Sequence, residues 1–233
     1  MVDKDLLKIS VILPVFNEAP LLSDTLRSLV ERQDPYLEII VADGGSEDGT
    51  VAVARQYTNK VVTVPRGRGQ QMNRGTSQAE GDVFLFLHAD SHMETGGIEE
   101  VRERLRDERV VGGAFRLAIA SDRMALGWVS SIANLRTSLT GIPYGDQGIF
   151  VRRKVFERMG GYRDLPFMED LDFCRRLKRE GEILLLKKRV WTSPRRWERE
   201  GVLKVTLRNQ IFLALYYMGI SPKRMVRWYQ VVR

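Results

Sequence analysis

Two histidines and one cysteine in 233 residues set the first limits on this chain. The lone Cys174 excludes an intramolecular disulfide and fits a reducing compartment. The apolar runs Val83–Leu87 and Ile211–Met218 fall far short of the ~20 residues that a membrane span needs. Met1 to Lys8 has acidic residues and no apolar core, so no signal peptide is expected there. No G-x-G-x-x-G follows the first predicted strand; the R-G-R-G of residues 66–69 follows the third, which counts against a dinucleotide dehydrogenase. The G-x-x-x-x-G-K-[ST] loop is missing too, against a P-loop enzyme. There is no internal repeat, low-complexity tract or clear linker.

What is present is enough for one large domain, or one domain with a tail. Hydrophobic content of 43% with 29% charged residues belongs to a soluble globular protein. The net charge of +7 is unevenly spread: residues 187–233 hold twelve Lys and Arg against two acidic residues, while residues 1–186 are slightly acidic. Nucleic acid, anionic lipid and a diphosphate ligand are the candidate partners for that basic segment.

The stretch Asp82 to His92, D-V-F-L-F-L-H-A-D-S-H, organises the rest. Its five apolar residues have the length and content of a strand buried on both faces, as in a parallel sheet. If extended backbone continues past them, His88, Asp90 and His92 share one side, just beyond the strand's C-terminal end. Open α/β sheets bind their ligands there. Two imidazoles and a carboxylate suit Mn²⁺, Zn²⁺ or Fe²⁺, and Mg²⁺ would lean on the carboxylate. The plain alternative is a buried strand with a polar end.

Strands are predicted at Ile9–Phe16, Glu38–Ala42 and Val61–Val64, with a helix opened by Asn17-Glu18-Ala19-Pro20 and broken at Asp34-Pro35. Asp43-Gly-Gly-Ser-Glu-Asp-Gly-Thr50 is a turn into a short helix, with Ser46 or Asp48 as cap. This alternation predicts an α/β fold with a doubly wound, mostly parallel sheet. In the second half, residues 97–108 read as a charged surface helix. Gly112–Leu117 and Ile183–Trp191 read as strands, and Glu169–Glu180 as a helix. Trp128, Ile132, Leu135 and Leu139 recur at helical spacing as expected core, and Leu203, Leu207, Ile211, Leu215 and Met218 form an amphipathic final helix. Parallel strands bring Asn17/Glu18, Asp43-Gly44-Gly45 and His88/Asp90 to one crevice, where carboxylates accept from a base or ribose and Arg66 and Arg68 meet phosphate.

Five stretches taken together resemble the family 2 glycosyltransferases of the GT-A fold: V-I-L-P-V-F-N-E (11–18), V-A-D-G-G-S-E-D-G-T (41–50), G-R-G-Q-Q-M-N-R-G (67–75), F-L-H-A-D (86–90) and M-E-D-L-D-F-C-R-R (168–176). Within that family the chain is similar to a small bacterial group with H-A-D in place of D-x-D. The resemblance implies a nucleotide-diphospho-sugar donor (a UDP-sugar first), a divalent cation (Mn²⁺ or Mg²⁺) on its diphosphate, a hydroxyl acceptor, and inversion at the sugar's C1. It places Asp43 and Glu18 on base and ribose and Arg68 beside the nucleotide, with Pro14, Gly44, Asn73 and Ala89 in the same donor-binding set. Asp90 matches the metal-binding second aspartate, His88 replaces the first, and His92 is a further candidate ligand. Asp170 of the Glu169-Asp170 pair matches the general base. Arg195-Arg196-Trp197 loosely resembles the R-W of Q-x-x-R-W; the Gln is missing, so processivity is not implied, and Arg196 with Trp197 either closes over the diphosphate or belongs to a surface pair of arginines.

On this reading residues 1–200 are the glycosyltransferase domain, with a donor half to about 92 and an acceptor half beyond it. Residues 201–233 are a basic amphipathic extension. A cytoplasmic location is expected, and no nucleic-acid partner. The extension either packs on the core or lies on the inner face of the membrane, where Lys204, Arg208, Lys223, Arg224, Arg227 and Arg233 flank the aromatics Trp228 and Tyr229 and a lipid-linked acceptor is implied. The rivals are a sugar-phosphate nucleotidyltransferase, which would show G-x-G-T-R after its first strand where this chain has P-V-F-N-E, and a non-catalytic binding module.

Overall fold

The computed structural model describes residues 6–230. Met1 to Asp5 and Arg233, named above, lie outside them, as do the side chains of Arg227 and Tyr229. The strands are β1 (Ile9–Val15), β2 (Leu37–Asp43), β3 (Val61–Thr63), β4 (Val83–Phe86), β5 (Ser91–Met93), β6 (Val110–Ile119), β7 (Ile149–Arg152) and β8 (Glu182–Thr192). They form one sheet in the order β3-β2-β1-β4-β7-β6-β8-β5. β3, β2, β1 and β4 run parallel, β7 is antiparallel to both its neighbours, and β8 is parallel to β6 but antiparallel to β5. The fold is therefore α/β with a mixed sheet, parallel in its first half as the sequence pattern implies.

Both faces of the sheet are covered, which is why β1, β2 and β4 read as nearly unbroken apolar runs. From β1, Ile9, Val11, Leu13 and Val15 enter a layer with Leu22, Leu26 and Leu29 of α1 (Ala19–Val30) and Ile98 and Val101 of α4 (Gly97–Arg104). Ile12 points to the opposite layer, with Met72 of α3 (Arg68–Thr76), Phe156 of α6 (Arg153–Arg158), and Phe173 and Leu177 of α7 (Glu169–Leu177). A short α2 (Thr50–Ala54) follows β2. Fully burying a side chain of this size stabilises by roughly 1.5–3 kcal/mol. β6 lies between β7 and β8, where a Cβ on Gly113 would run into the Leu184 carbonyl and the Phe150 ring, so that position requires glycine.

Three expectations are corrected. The 97–108 helix ends at Arg104 and is not merely a charged surface: Glu100 accepts from the Lys187 and Lys188 amides, and Arg102 pairs with Asp34 at 2.7 Å. Trp128, Ile132, Leu135 and Leu139, on α5 (Met124–Thr140), are exposed rather than core, because the helix packs through its opposite side. α9 (Val202–Tyr217) likewise exposes Leu203, Leu207 and Ile211 and packs through Val205 and Phe212. It is not the last helix: α8 (Arg195–Glu200) precedes it and α10 (Pro222–Gln230) follows.

Candidate active site

The C-terminal ends of β1 and β2 are welded to each other by backbone amides. Asp43 is buried, and its carboxylate accepts from the amides of Gly45 and Ser46 at 3.0 Å each. Asn17, held at φ 53°, accepts from the Glu47 amide and donates its own N–H to Ser46 Oγ. Asn tolerates the left-handed region because its short polar side chain bonds locally. Asp48 accepts from the amides of Thr50 and Ala19, so it, and not Ser46, serves the start of α2. Under this turn Gln71 Nε2 bridges the carbonyls of Val15 and Ala42 at 2.8 Å each, with Gly44 packed closely over it. Sequence reading gave Gln71 no role. Asn73, expected in the donor set, uses both amide atoms on the backbone of Tyr162.

Beyond β4 the chain does not stay extended. It turns at Ala89 and Asp90, with the Ser91 amide donating to the His88 carbonyl, and β5 then pairs with β8 so that His92 lies opposite Trp191. The alternation that would align His88, Asp90 and His92 is broken by that turn. Among the described residues no three His, Cys, Asp or Glu side chains converge as a metal site. Thr25 of α1 fixes the turn by donating to the Ala89 carbonyl at 2.7 Å.

A cavity of about 590 Å³ opens at this edge. Pro14, Glu18, Arg68, His88, Ala89 and Asp90 line it from the first half of the chain, and Glu169, Asp170, Arg196 and Trp197 from the second. Asp43, Gly44, Asn73 and His92 do not. The arginine that meets the acidic residues is Arg195: its Nη2 lies 2.7 Å and 2.9 Å from the two Glu18 carboxylate oxygens and 3.7 Å from Asp90. Its neighbour Arg196 is directed toward Glu200 at 3.8 Å, while Trp197 is mostly buried with Ile119, Leu126 and Val205. Both arginines line the cavity, and Arg195 is the one that pairs with Glu18.

On the opposite wall Asp170 sits in the first turn of α7, where the helix dipole favours a carboxylate. The preceding Met168 takes φ 61°, turning the chain sharply into the helix. Leu171, Phe173, Cys174 and Leu177 anchor the underside of α7, and Phe173 stacks on Tyr162 at 4.2 Å. Burial pushes the Cys174 thiol up, so it is packing and not a nucleophile. Asp170 Oδ2 accepts from the Gly145 amide at 2.7 Å; a Cβ on Gly145 would stand 3.1 Å from that oxygen and 3.4 Å from His88 Nε2. His88 thus belongs to the Asp170 side of the cavity. Next in chain, Asp146 has its Oδ1 buried without a hydrogen-bond partner. Burial first, and then the charge of Asp170, push its carboxyl up to about 6. Arg136 lies over the Tyr144 ring at 3.2 Å to the centroid. Asp146 carries no sequence signal of its own, since Gly-Asp-Gln-Gly (145–148) has the composition of an ordinary turn.

Comparison with known proteins places this geometry. Residues 10–160 match the family described as Glycosyl transferase family 2. The protein named Probable glycosyltransferase YdaM of Bacillus subtilis (strain 168) is 25% identical over 223 residues, covering 84% of this chain and 52% of that protein. The chain thus spans about half the length of that relative. Among solved structures, mannosyltransferase PcManGT from Pyrobaculum calidifontis, in complex with GDP-Man and Mn²⁺, aligns with a TM-score of 0.62 at 22% identity, covering 78% of this chain and 55% of that one. S. aureus TarS 1-349 in complex with UDP aligns at 0.65 and 20% identity, covering 80% and 60%. These likenesses establish a common fold.

Proposed function

The chain belongs to glycosyl transferase family 2, and from that premise we propose that it moves a sugar from a nucleotide-diphospho-sugar, a UDP-sugar first, to a hydroxyl acceptor with inversion at C1. The observation that carries the reading is one cavity with Asp90 on the wall built by β4 and Asp170 on the wall built by α7. The structural relatives carry GDP-Man with Mn²⁺, or UDP, which supports a donor of this class. Residues up to about 92 form the donor half and residues 93–200 the acceptor half. A cytoplasmic location suits the single cysteine and a soluble nucleotide donor.

Asp170 takes the proton of the attacking hydroxyl, and the nucleotide diphosphate leaves on the opposite face of the sugar. The Gly145 amide fixes Oδ2 and the Leu171 amide fixes Oδ1, each at 2.7 Å, and each oxygen keeps a second lone pair for the acceptor. Glu169, buried behind it, is a positioning residue. On the donor side, Asp90 would hold a Mg²⁺- or Mn²⁺-type cation, with the Glu18 carboxylate in the same lining. Such a cation supplies charge neutralisation for the departing diphosphate. Glu18 faces the same space and exchanges its Arg195 partner for ribose hydroxyls, freeing the guanidinium for the diphosphate.

The experiment is a donor panel with Mn²⁺, Mg²⁺ or EDTA, read by thermal shift and by release of nucleoside diphosphate. One donor class should raise the melting temperature in a cation-dependent way, and Asp90→Asn should remove that dependence. Turnover unaffected by EDTA eliminates the metal role; no shift and no release across the panel eliminates sugar transfer.

A further inference from the structure

α5 carries its large apolar side chains on the side away from the protein. Met124, Trp128, Ile132, Leu135 and Leu139 follow each other by four, four, three and four residues, so they form one stripe, and they are 60–84% exposed. The side packed against the protein holds Leu126, Ser130 and Thr137, with Asn134 bonded to the backbone of Leu117. α9 repeats the pattern: Leu203, Leu207 and Ile211 are 49–81% exposed, opposite the buried Val205, Arg208 and Phe212. The helices meet through Leu126, Val129, Val202 and Val205. Scattered exposed leucines are ordinary, but two neighbouring helices with continuous outward stripes mark an interaction surface.

We propose that the outward faces of α5 and α9 seat this protein on an anionic lipid bilayer. Neither helix contains an Asp or Glu, nor does any position from 201 to 233. Lys204 beside the α9 stripe and Lys223 and Arg224 of α10 are exposed. The exposed aromatics Trp128, Tyr217 and Trp228 are the types that settle at headgroup depth. No described helix is long and apolar enough to cross a membrane, so the helices lie in the interfacial plane. A second copy of the chain is the poorer occupant: a two-fold contact would set each cationic border against its own copy, whereas acidic headgroups neutralise it. Asn209 and Leu213 of the same α9 line the cavity, so docking holds the cavity beside the lipid surface.

The inference rests on the surface and not on sugar transfer, so vesicle binding and turnover fail independently. The full chain is floated with phosphatidylcholine vesicles, with and without phosphatidylglycerol. Binding should be about tenfold stronger to the anionic vesicles and should fall at high salt. Leu135→Glu with Leu207→Glu, both at exposed positions, should abolish it while leaving the melting temperature unchanged. Equal binding to both vesicles, or to neither, overturns the proposal. So does a dimer that persists with vesicles present and dissolves in the double variant.

Discussion

At the ends of β1 and β2 the polar side chains bond to backbone: Asp43 to two amides, Asn17 to one, Gln71 to two carbonyls. In the cavity lining the polar side chains mostly answer to one another. Arg195 holds Glu18 and Asp146 feels Asp170, while the Gly145 and Leu171 amides anchor Asp170 itself. Backbone bonds made during folding persist whatever enters the cavity, whereas charge pairs of this kind can be exchanged for a substrate's charges. The strand ends are a rigid frame, and the cavity lining beside them is set up to react. Each substitution below attacks that division, from the largest expected effect to the smallest.

Asp170→Asn removes the proton acceptor but keeps the shape and the Gly145 contact. Turnover should fall at least about a hundredfold, the scale of general-base catalysis, with donor affinity kept. Lost donor binding at unaltered kcat would move Asp170 to the donor wall. Asp146→Asn tests the same wall through pH. Burial and the Asp170 charge raise the Asp146 carboxyl from 3.8 to about 6 in the folded protein. A raised acid pKa favours the protonated fold, so the wild type loses stability as pH rises from about 4 to 6 and carries the full cost above that. Two pKa steps correspond to about 3 kcal/mol. The Asn variant should therefore be more stable by up to that amount at pH 7.5 and equal to wild type near pH 3.5. Denaturation midpoints across that range check it, and a constant difference would remove the charge argument.

This division also explains what the sequence made legible. Asp43, Glu18 and Asp90 stand at strand ends whose apolar runs are unmistakable, so their edge of the sheet could be named from spacing alone. The role of His92 could not, because the turn at Ala89 and Asp90 depends on β5 finding β8 about a hundred residues later. Asp146 and Arg195 were illegible for a similar reason: their settings come from contacts between distant segments. The stripe on α5 misled because helical periodicity reports a face and not what covers it.

The rigid frame is tested by Gln71→Leu. The side chain is buried, and its two bonds tie the Val15 and Ala42 carbonyls near the ends of adjacent strands. Val15 O keeps the Gly44 amide and Ala42 stays in the β1–β2 register, so the loss is that of two buried hydrogen bonds, about 2 kcal/mol. Chemical denaturation should show this loss with little change in kcat. If kcat falls while stability holds, Gln71 acts on the chemistry and the frame is not passive.

Arg195→Gln should have the smallest effect on folding, although Arg195 makes the most conspicuous ion pair in the cavity. Its side chain is half exposed, and exposed pairs contribute roughly 0–1 kcal/mol because solvent and salt screen them. The expected loss is a few tenths of a kcal/mol in low salt and nothing measurable in high salt. With the guanidinium gone, Glu18 and Asp90 lose a competing cation, so Mn²⁺ should bind the donor-free protein severalfold more tightly. Donor affinity should move the other way, since the residue proposed for the diphosphate is missing. Calorimetric titration of Mn²⁺ alone and of nucleotide alone separates these two directions. A stability loss above about 2 kcal/mol, independent of salt, would show that Arg195 is a structural pin. The cavity lining would then be frame as well, and its contrast with the strand ends would not hold.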